Sequence, residues 1–180
     1  MEKLSEAFSF GGKQFVFSHA SIVNDCKMTL AIFTPPKVKN PPVLWYLSGL
    51  TCSHSNVMEK GEYRKKAAEL GMVIICPDTS PRGDQVPDEK DNWQFGSGAG
   101  FYLDATQEPY DKNYNMYSYL NDELPKLVED NFDLDMSRQS IFGHSMGGHG
   151  AIIMALRNPK KYESCSAFAP IVEPSSASWS

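Results

Sequence analysis

Gly143-His144-Ser145-Met146-Gly147 is the group whose residue types and spacing could do covalent chemistry. In a G-x-S-x-G turn the serine sits at a sharp strand-to-helix corner, and glycines flank it because a Cβ there would collide with neighbouring backbone. The hydroxyl is thereby presented on a tip as a nucleophile. The N–H groups that open the next helix, with its positive dipole end, face the place where an oxyanion would form, and Met146 N–H is the first candidate donor. An apolar stretch at residues 140–142 precedes the group and a helix-like run at 151–157 follows it, which is the context an elbow requires. The competing reading is a serine in an ordinary Gly-rich βα turn.

A serine hydroxyl is a weak nucleophile until a base takes its proton, so Ser145 needs a histidine that a carboxylate orients. The chain offers His19, His54, His144 and His149. His144 and His149 are placed by the same elbow and helix as the serine, and packing is the expected role of both. His19 ends an early strand, where surface or hairpin packing is expected. His54 follows the strand at residues 43–47 and could come near the site, yet α/β-hydrolases supply the base late, in the order Ser, acid, His. No histidine follows His149, and Asp104 precedes Ser145, the wrong order for the acid.

Leu47-Ser48-Gly49-Leu50-Thr51-Cys52 comes directly after an expected parallel strand, where hydrolases of this class place the loop that donates the second oxyanion N–H. Leu50 is the candidate donor; a plain βα turn at Gly49 weighs equally. Cys52 is either a reactive thiol near the site or an inert buried one, the commoner case. Arg82 stands beyond the C-terminal end of a strand, the edge where open α/β sheets bind ligands, and could hold a substrate carboxylate. For a lone loop arginine a solvated or structural ion pair is the commoner role. Trp93, Phe95, Phe101 and Tyr102 interleave with Gly96, Gly98 and Gly100. These aromatics read as core or, more sharply, as the wall of an acyl pocket in which Trp93 and Phe101 meet the substrate.

The elements that must position these residues follow from periodicity. Residues 14–17 and 28–33 read as two strands, an antiparallel pair closed by Pro35-Pro36. Residues 43–47 and 72–76 are near-continuous apolar runs, as expected of parallel strands covered on both faces. Between them a helix at 63–70 stops at Gly71. A second helix spans 116–130 with Tyr117, Leu120, Leu124, Leu127 and Val128 on one face and a bend at Pro125. A strand at 140–142, the elbow, a helix at 151–157 ended by Asn158-Pro159, and a strand at 164–168 complete the pattern. Alternation of this kind implies a right-handed α/β sheet. Residues 86–100 form a long polar, Gly-rich loop, of a length that is often functional.

At 180 residues and 41% hydrophobic content, the chain fits a single domain with one sizeable core. A net charge of −5 argues against nucleic acid or an anionic membrane as the partner, since both need a basic face. Cys26, Cys52, Cys76 and Cys165 show no C-x-x-C spacing, so reduced buried thiols are expected rather than disulfides or a zinc site, and with them a cytoplasmic location. The N-terminus has no apolar signal region, and the longest apolar runs are too short to span a bilayer.

The longer motifs resemble one family closely, the S-formylglutathione hydrolases, also called esterase D, of the α/β-hydrolase fold. The resemblance runs through Leu47-Ser48-Gly49-Leu50-Thr51-Cys52, Pro77-Asp78-Thr79-Ser80-Pro81-Arg82-Gly83, Gly98-Ala99-Gly100-Phe101-Tyr102-Leu103-Asp104-Ala105-Thr106 and residues 114–119. It continues through Ile141-Phe142-Gly143-His144-Ser145-Met146-Gly147-Gly148-His149-Gly150-Ala151 and Ser166-Ala167-Phe168-Ala169-Pro170. The fold it implies is a mostly parallel sheet with helices on both faces. The site it implies has Ser145 as nucleophile, Leu50 and Met146 as oxyanion donors and Cys52 nearby. The reaction it implies is hydrolysis of the thioester S-formylglutathione to glutathione and formate, a step in formaldehyde detoxification, with general carboxylesterase activity. No metal or organic cofactor is implied; the partner is a small-molecule thioester or ester, and homodimerisation is expected. Gln94 departs from the family, whose members commonly carry Asp after the Trp. Members also continue beyond Trp179-Ser180, and their triad Asp and His lie in that continuation. The chain thus resembles the N-terminal portion of such an enzyme, a domain incomplete at its C-terminus, and a protein truly ending at Ser180 is expected to be inactive. The alternative functions are a carboxylesterase with another natural ester substrate and a catalytically inactive truncated hydrolase.

Overall fold

The structure is a computed structural model that describes residues 1–176; the expectation attached to Trp179-Ser180 lies outside the described residues. Seven strands form one sheet: β1 (Glu2–Ser9), β2 (Gly12–Ser21), β3 (Cys26–Thr34), β4 (Pro42–Leu47), β5 (Val73–Pro77), β6 (Asp135–His144) and β7 (Ser164–Phe168). Their order is β1-β2-β3-β5-β4-β6-β7. The strands β5, β4, β6 and β7 are mutually parallel, whereas β1, β2 and β3 join the sheet through antiparallel pairings. The sheet is therefore mixed, with its parallel half carrying the elbow.

Register decides what the parallel half can do. Trp45 of β4 lies opposite both Ile75 of β5 and Ile141 of β6, and Leu47 lies opposite Gly143. The three strands consequently end within one residue of level, and the segments that leave them, beginning at Ser48, Asp78 and Ser145, emerge side by side at the C-terminal edge, where open α/β sheets bind ligands. Burial explains why these strands pair here. All five residues of β5 are buried, and along β4 Val43, Trp45 and Leu47 are buried while Leu44 and Tyr46 face the other layer half-buried.

Helices cover both faces. On one, α1 (Ser55–Lys60) and α2 (Arg64–Leu70) pack Val57, Met58, Tyr63 and Ala67 against Ala31, Phe33, Ile74 and Cys76. On the other, α5 (Met146–Arg157) packs Met146, Ala151 and Met154 into the larger core with Leu30, Trp45, Ile75 and Ile141. Gly71 ends α2 in the left-handed conformation, φ 68°, with its N–H bonded back into the helix.

The segment expected as one bent helix is three consecutive pieces: α3 (Met116–Ser118), a π-helical stretch (Tyr119–Glu123) and α4 (Leu124–Glu129). Pro125 has no N–H to offer the carbonyl of Asn121, and that carbonyl instead accepts Lys161 Nζ at 2.8 Å. The wider π turn shifts the helical phase, so Met116 and Tyr119 are buried with Leu120, Leu124 and Val128, while Tyr117 and Leu127 are only half-buried.

Two elements escaped the sequence reading. Strand β1 is exposed along nearly all its length, so it lacks the buried alternation that marks a strand. Helix α1 is six residues long with no side-chain cap. Helix α5 starts at Met146 and not at residue 151, because Gly147, Gly148 and Gly150 mask its first turns as poor helix formers.

Candidate active site

Ser145 joins β6 to α5 with φ 57° and ψ −120°, a conformation an L-residue adopts only under constraint. Such a position costs about 1–3 kcal/mol and persists where the surroundings over-determine it. Those surroundings are identifiable. The Ser145 N–H donates to the Phe168 carbonyl of β7 at 2.9 Å, and its own carbonyl accepts the His149 N–H of α5 at 3.1 Å. A Cβ on Gly143 would strike the Gly147 carbonyl, and one on Gly147 would strike the carbonyl of Leu47 at the end of β4. The two glycines of the motif thus let helix α5 seat directly on β4 and β6. Met146, as the first residue of α5, has an N–H with no intrahelical acceptor.

The segment after β4 closes on this corner. A Cβ on Gly49 would stand 3.3 Å from the Ser145 Cβ and 3.4 Å from the His144 carbonyl, so the peptide that bears Leu50 N–H runs alongside the serine. The neighbouring backbone bonds run from Thr51 N–H to the Gly98 carbonyl at 3.0 Å and from Cys52 N–H to the Gly49 carbonyl at 3.3 Å; the Leu50 N–H takes part in neither. Thr51 is held at φ 63°, a left-handed conformation that is uncommon for a β-branched residue. Leu50, Met146 and Ser145 are therefore brought together, with Cys52 half-buried on the same loop.

This loop is fastened by residues whose part the motif reading did not see. Tyr102, fully buried, donates its hydroxyl to the Ser48 carbonyl at 2.8 Å. The Thr79 hydroxyl and Arg82 Nη2, the latter at 2.9 Å, both donate to the Cys52 carbonyl. Arg82 Nε lies 3.1 Å from each oxygen of Asp78, a carboxylate only 5% exposed that also accepts the Thr79 N–H at 2.7 Å. A buried carboxylate needs such partners. Arg82 thus points its guanidinium inward at the loop, and the one sequence signal for this was the four-residue spacing of Asp78 and Arg82 beyond β5.

None of the hydrogen bonds among the described residues joins a histidine to the Ser145 hydroxyl. His144 is exposed at the end of β6. His149 Nδ1 donates to the Ile171 carbonyl at 3.1 Å, Nε2 is buried without a partner, and burial pulls its pKa below the ordinary value. His54 Nδ1 is buried without a hydrogen-bond partner and stands 3.9 Å from Asp78 Oδ2. His19, expected in surface or hairpin packing, is buried and meets the Tyr119 hydroxyl at 2.9 Å, because β2 is roofed by the π-helical stretch. Asp104 accepts the Ser118 N–H and hydroxyl at the end of α3.

The Gly-rich loop is divided. Phe101 lines a cavity of about 360 Å³ with Phe95, Leu103, His149 and Pro174, beside the first turn of α5. Trp93 is 60% exposed and lines neither this cavity nor the one beneath the loop, so the structure does not bring it to Phe101, and neither it nor Phe95, 45% exposed, is core. Another cavity, about 650 Å³, lies beside β2 and α4 and shares no residue with the elbow. Among the described residues no group of His, Cys, Asp and Glu is clustered as metal ligands, and no helix is long and apolar enough to cross a membrane.

Comparison with known proteins agrees with this geometry. A solved S-formylglutathione hydrolase from Agrobacterium tumefaciens is 63% identical and superposes with a TM-score of 0.98, covering 100% of this chain and 66% of that one. The chain has the α/β-hydrolase fold. The S-formylglutathione hydrolases of Bos taurus and Mus musculus are each 52% identical over 181 residues, which is 99% of this chain. The chain spans 64% of the length of these curated relatives. The esterase family model, described as "Putative esterase", matches residues 21–180, and with that match the chain belongs to the esterase family.

Proposed function

We propose that this chain carries the nucleophile and oxyanion hole of a serine hydrolase that cleaves the thioester S-formylglutathione to glutathione and formate, and that also accepts simple carboxylic esters. One observation carries the reading: Ser145 is held at φ 57° and ψ −120° between β6 and α5 with Gly49 against it, and this corner supports the reading because it presents the hydroxyl beside the Leu50 and Met146 N–H groups. The substrate follows from the relatives, three of which are S-formylglutathione hydrolases at 51–52% identity.

In this mechanism the Ser145 hydroxyl attacks the formyl carbonyl while a base takes its proton. The carbonyl oxygen becomes an oxyanion between the Leu50 and Met146 N–H groups, which are aimed in advance at where the charge develops. The tetrahedral adduct expels glutathione thiolate, a good leaving group, so protonation of the departing atom matters less than in amide hydrolysis. Water then attacks the formyl-serine ester and releases formate. The base and its carboxylate are assigned to no residue here, since no described histidine bonds to Ser145. That same fact favours a second reading, a chain that binds or assembles without turnover. No cofactor enters the scheme, the free thiols at Cys26, Cys52, Cys76 and Cys165 fit a cytoplasmic setting, and homodimerisation rests on the resemblance alone.

Purified protein assayed on S-formylglutathione and on aryl acetates decides among these. A kcat/KM larger by orders of magnitude on the formyl thioester supports the hydrolase as stated. Preference for another ester makes it a carboxylesterase, and absence of turnover on either favours the non-catalytic reading.

A further inference from the structure

The Leu50 N–H can serve an oxyanion only if the loop that bears it does not move, and that loop is held through its backbone carbonyls at Ser48 and Cys52. We infer that Arg82, acting with Asp78 and Thr79, is a positioning residue that fixes the Leu50 N–H by holding the Cys52 carbonyl, and is not a ligand for the substrate. The inference rests on the reading of Ser145 as the nucleophile.

The chain of support is continuous. Strand β5 is buried and hydrogen bonded to β4, and Asp78 follows directly after it. The Asp78 carboxylate is oriented by the Thr79 N–H and holds Arg82 Nε with both oxygens. The planar guanidinium then directs Nη2 at the Cys52 carbonyl, which the Thr79 hydroxyl also meets. Between that carbonyl and Leu50 stands Thr51 at φ 63°, which would relax if its C-terminal side were released and would swing the preceding peptides as it did so. The other side is secured separately, by Tyr102 on the Ser48 carbonyl and by Gly98, whose carbonyl takes the Thr51 N–H. A Cβ on Gly98 would stand 2.9 Å from the Thr51 Cα, so that contact is also tight. Arg82 commits Nε and Nη2 to this clamp, so Nη1 is the nitrogen left outside it.

The test is steady-state kinetics of Arg82→Lys and Thr79→Val in the full-length protein, on anionic S-formylglutathione and on a neutral aryl acetate, with melting temperatures recorded. Lysine keeps a cation near Asp78 but cannot reproduce the fork that joins it to Cys52; valine removes one donor and keeps the shape. The expected result is a fall in kcat of about tenfold to a hundredfold for Arg82→Lys, equal on both substrates, with KM within about twofold, and a smaller fall of the same kind for Thr79→Val. A rise in KM confined to the glutathione thioester would show that Arg82 grips substrate and overturn the inference. Unchanged kcat at a lower melting temperature would overturn it too, reducing the clamp to a stability element. If Arg82→Lys does not fold, Thr79→Val decides alone by the same criteria. Ser145→Ala in the same assays separates the two claims: an active Ser145→Ala defeats the serine-hydrolase reading, whereas an inactive one beside unimpaired Arg82→Lys and Thr79→Val defeats only the clamp.

Discussion

Gly49 lies against Ser145, with room for a Cβ only 3.3 Å from the serine Cβ. The contact joins the loop after β4 to the corner after β6, two strands that end within one residue of level because Leu47 pairs with Gly143. In the mechanism proposed above, an acyl carbon bonded to Ser145 carries its oxygen toward the Leu50 and Met146 N–H groups of the segments that follow these two strands.

Ser145→Ala is expected to lower kcat by about four orders of magnitude or more while leaving the fold intact, since nothing else in the corner can attack. Ser145→Gly should be equally inactive yet more stable than the alanine variant. Relief of about 1–3 kcal/mol of strain at φ 57° exceeds the added chain entropy of glycine, about 0.5–1 kcal/mol. Denaturant midpoints of the two variants decide it: a glycine variant no more stable than alanine would mean that the corner is unstrained.

Gly147→Ala is expected to destabilise by about 3 kcal/mol, the upper range for overpacking, because the added methyl meets the backbone carbonyl of Leu47 and neither strand nor helix can yield. Chemical denaturation measures this directly. A loss under about 1 kcal/mol would show that α5 does not seat on β4 as described.

Stability should decline as pH falls below about 6.5, and His19 and His149 set the sign. Burial depresses both imidazoles in the folded state, so the unfolded chain takes up protons first as pH drops, and folding then opposes protonation. Above the unfolded value both states are neutral and these groups add no pH dependence. His19→Gln, which can still accept from Tyr119, should flatten the curve between pH 6.5 and 5, read from denaturant midpoints at each pH. An unaltered slope in this variant would assign the effect to other groups.

Alkylation of Cys52 should inactivate, because an adduct on that half-buried side chain displaces a loop whose carbonyl and N–H are both engaged. Cys165, against the expectation of buried thiols, is exposed on the edge strand β7 and should react without consequence, whereas Cys76, buried and pushed up to about 12, should not react. Cys52→Ser should retain activity and lose the sensitivity, with peptide mass mapping to show which thiol was modified. Equal inhibition of the serine variant would place the sensitive thiol elsewhere.

Acyl selectivity is expected to favour formyl over longer chains if Phe101 closes the acyl side, each extra methylene costing about 1–3 kcal/mol. Phe101→Ala should then flatten the profile from formyl to butyryl esters, whereas Trp93→Ala, at an exposed position, should leave it unchanged. A flat profile in the unmodified protein would remove Phe101 from the acyl wall.

The sequence by itself determined the elbow, the parallel strands on either side of it and the loop that carries Leu50. Each is encoded locally: apolar runs in β4 and β5, glycines where a Cβ cannot fit, Gly71 where α2 must turn left-handed. It also held the parts of the role proposed for Ser145, because the hydroxyl, its glycines and the first helical N–H lie within five consecutive residues. Tertiary structure alone decided the rest. Arg82 meets the carbonyl of Cys52, thirty residues earlier, and Lys161 meets that of Asn121, forty residues earlier. Such partnerships depend on strand order and register, which local periodicity does not carry. The same holds for Trp93 and Phe101, alike in composition and close in sequence, of which the packing of the loop on α5 turns one to solvent and the other to the cavity.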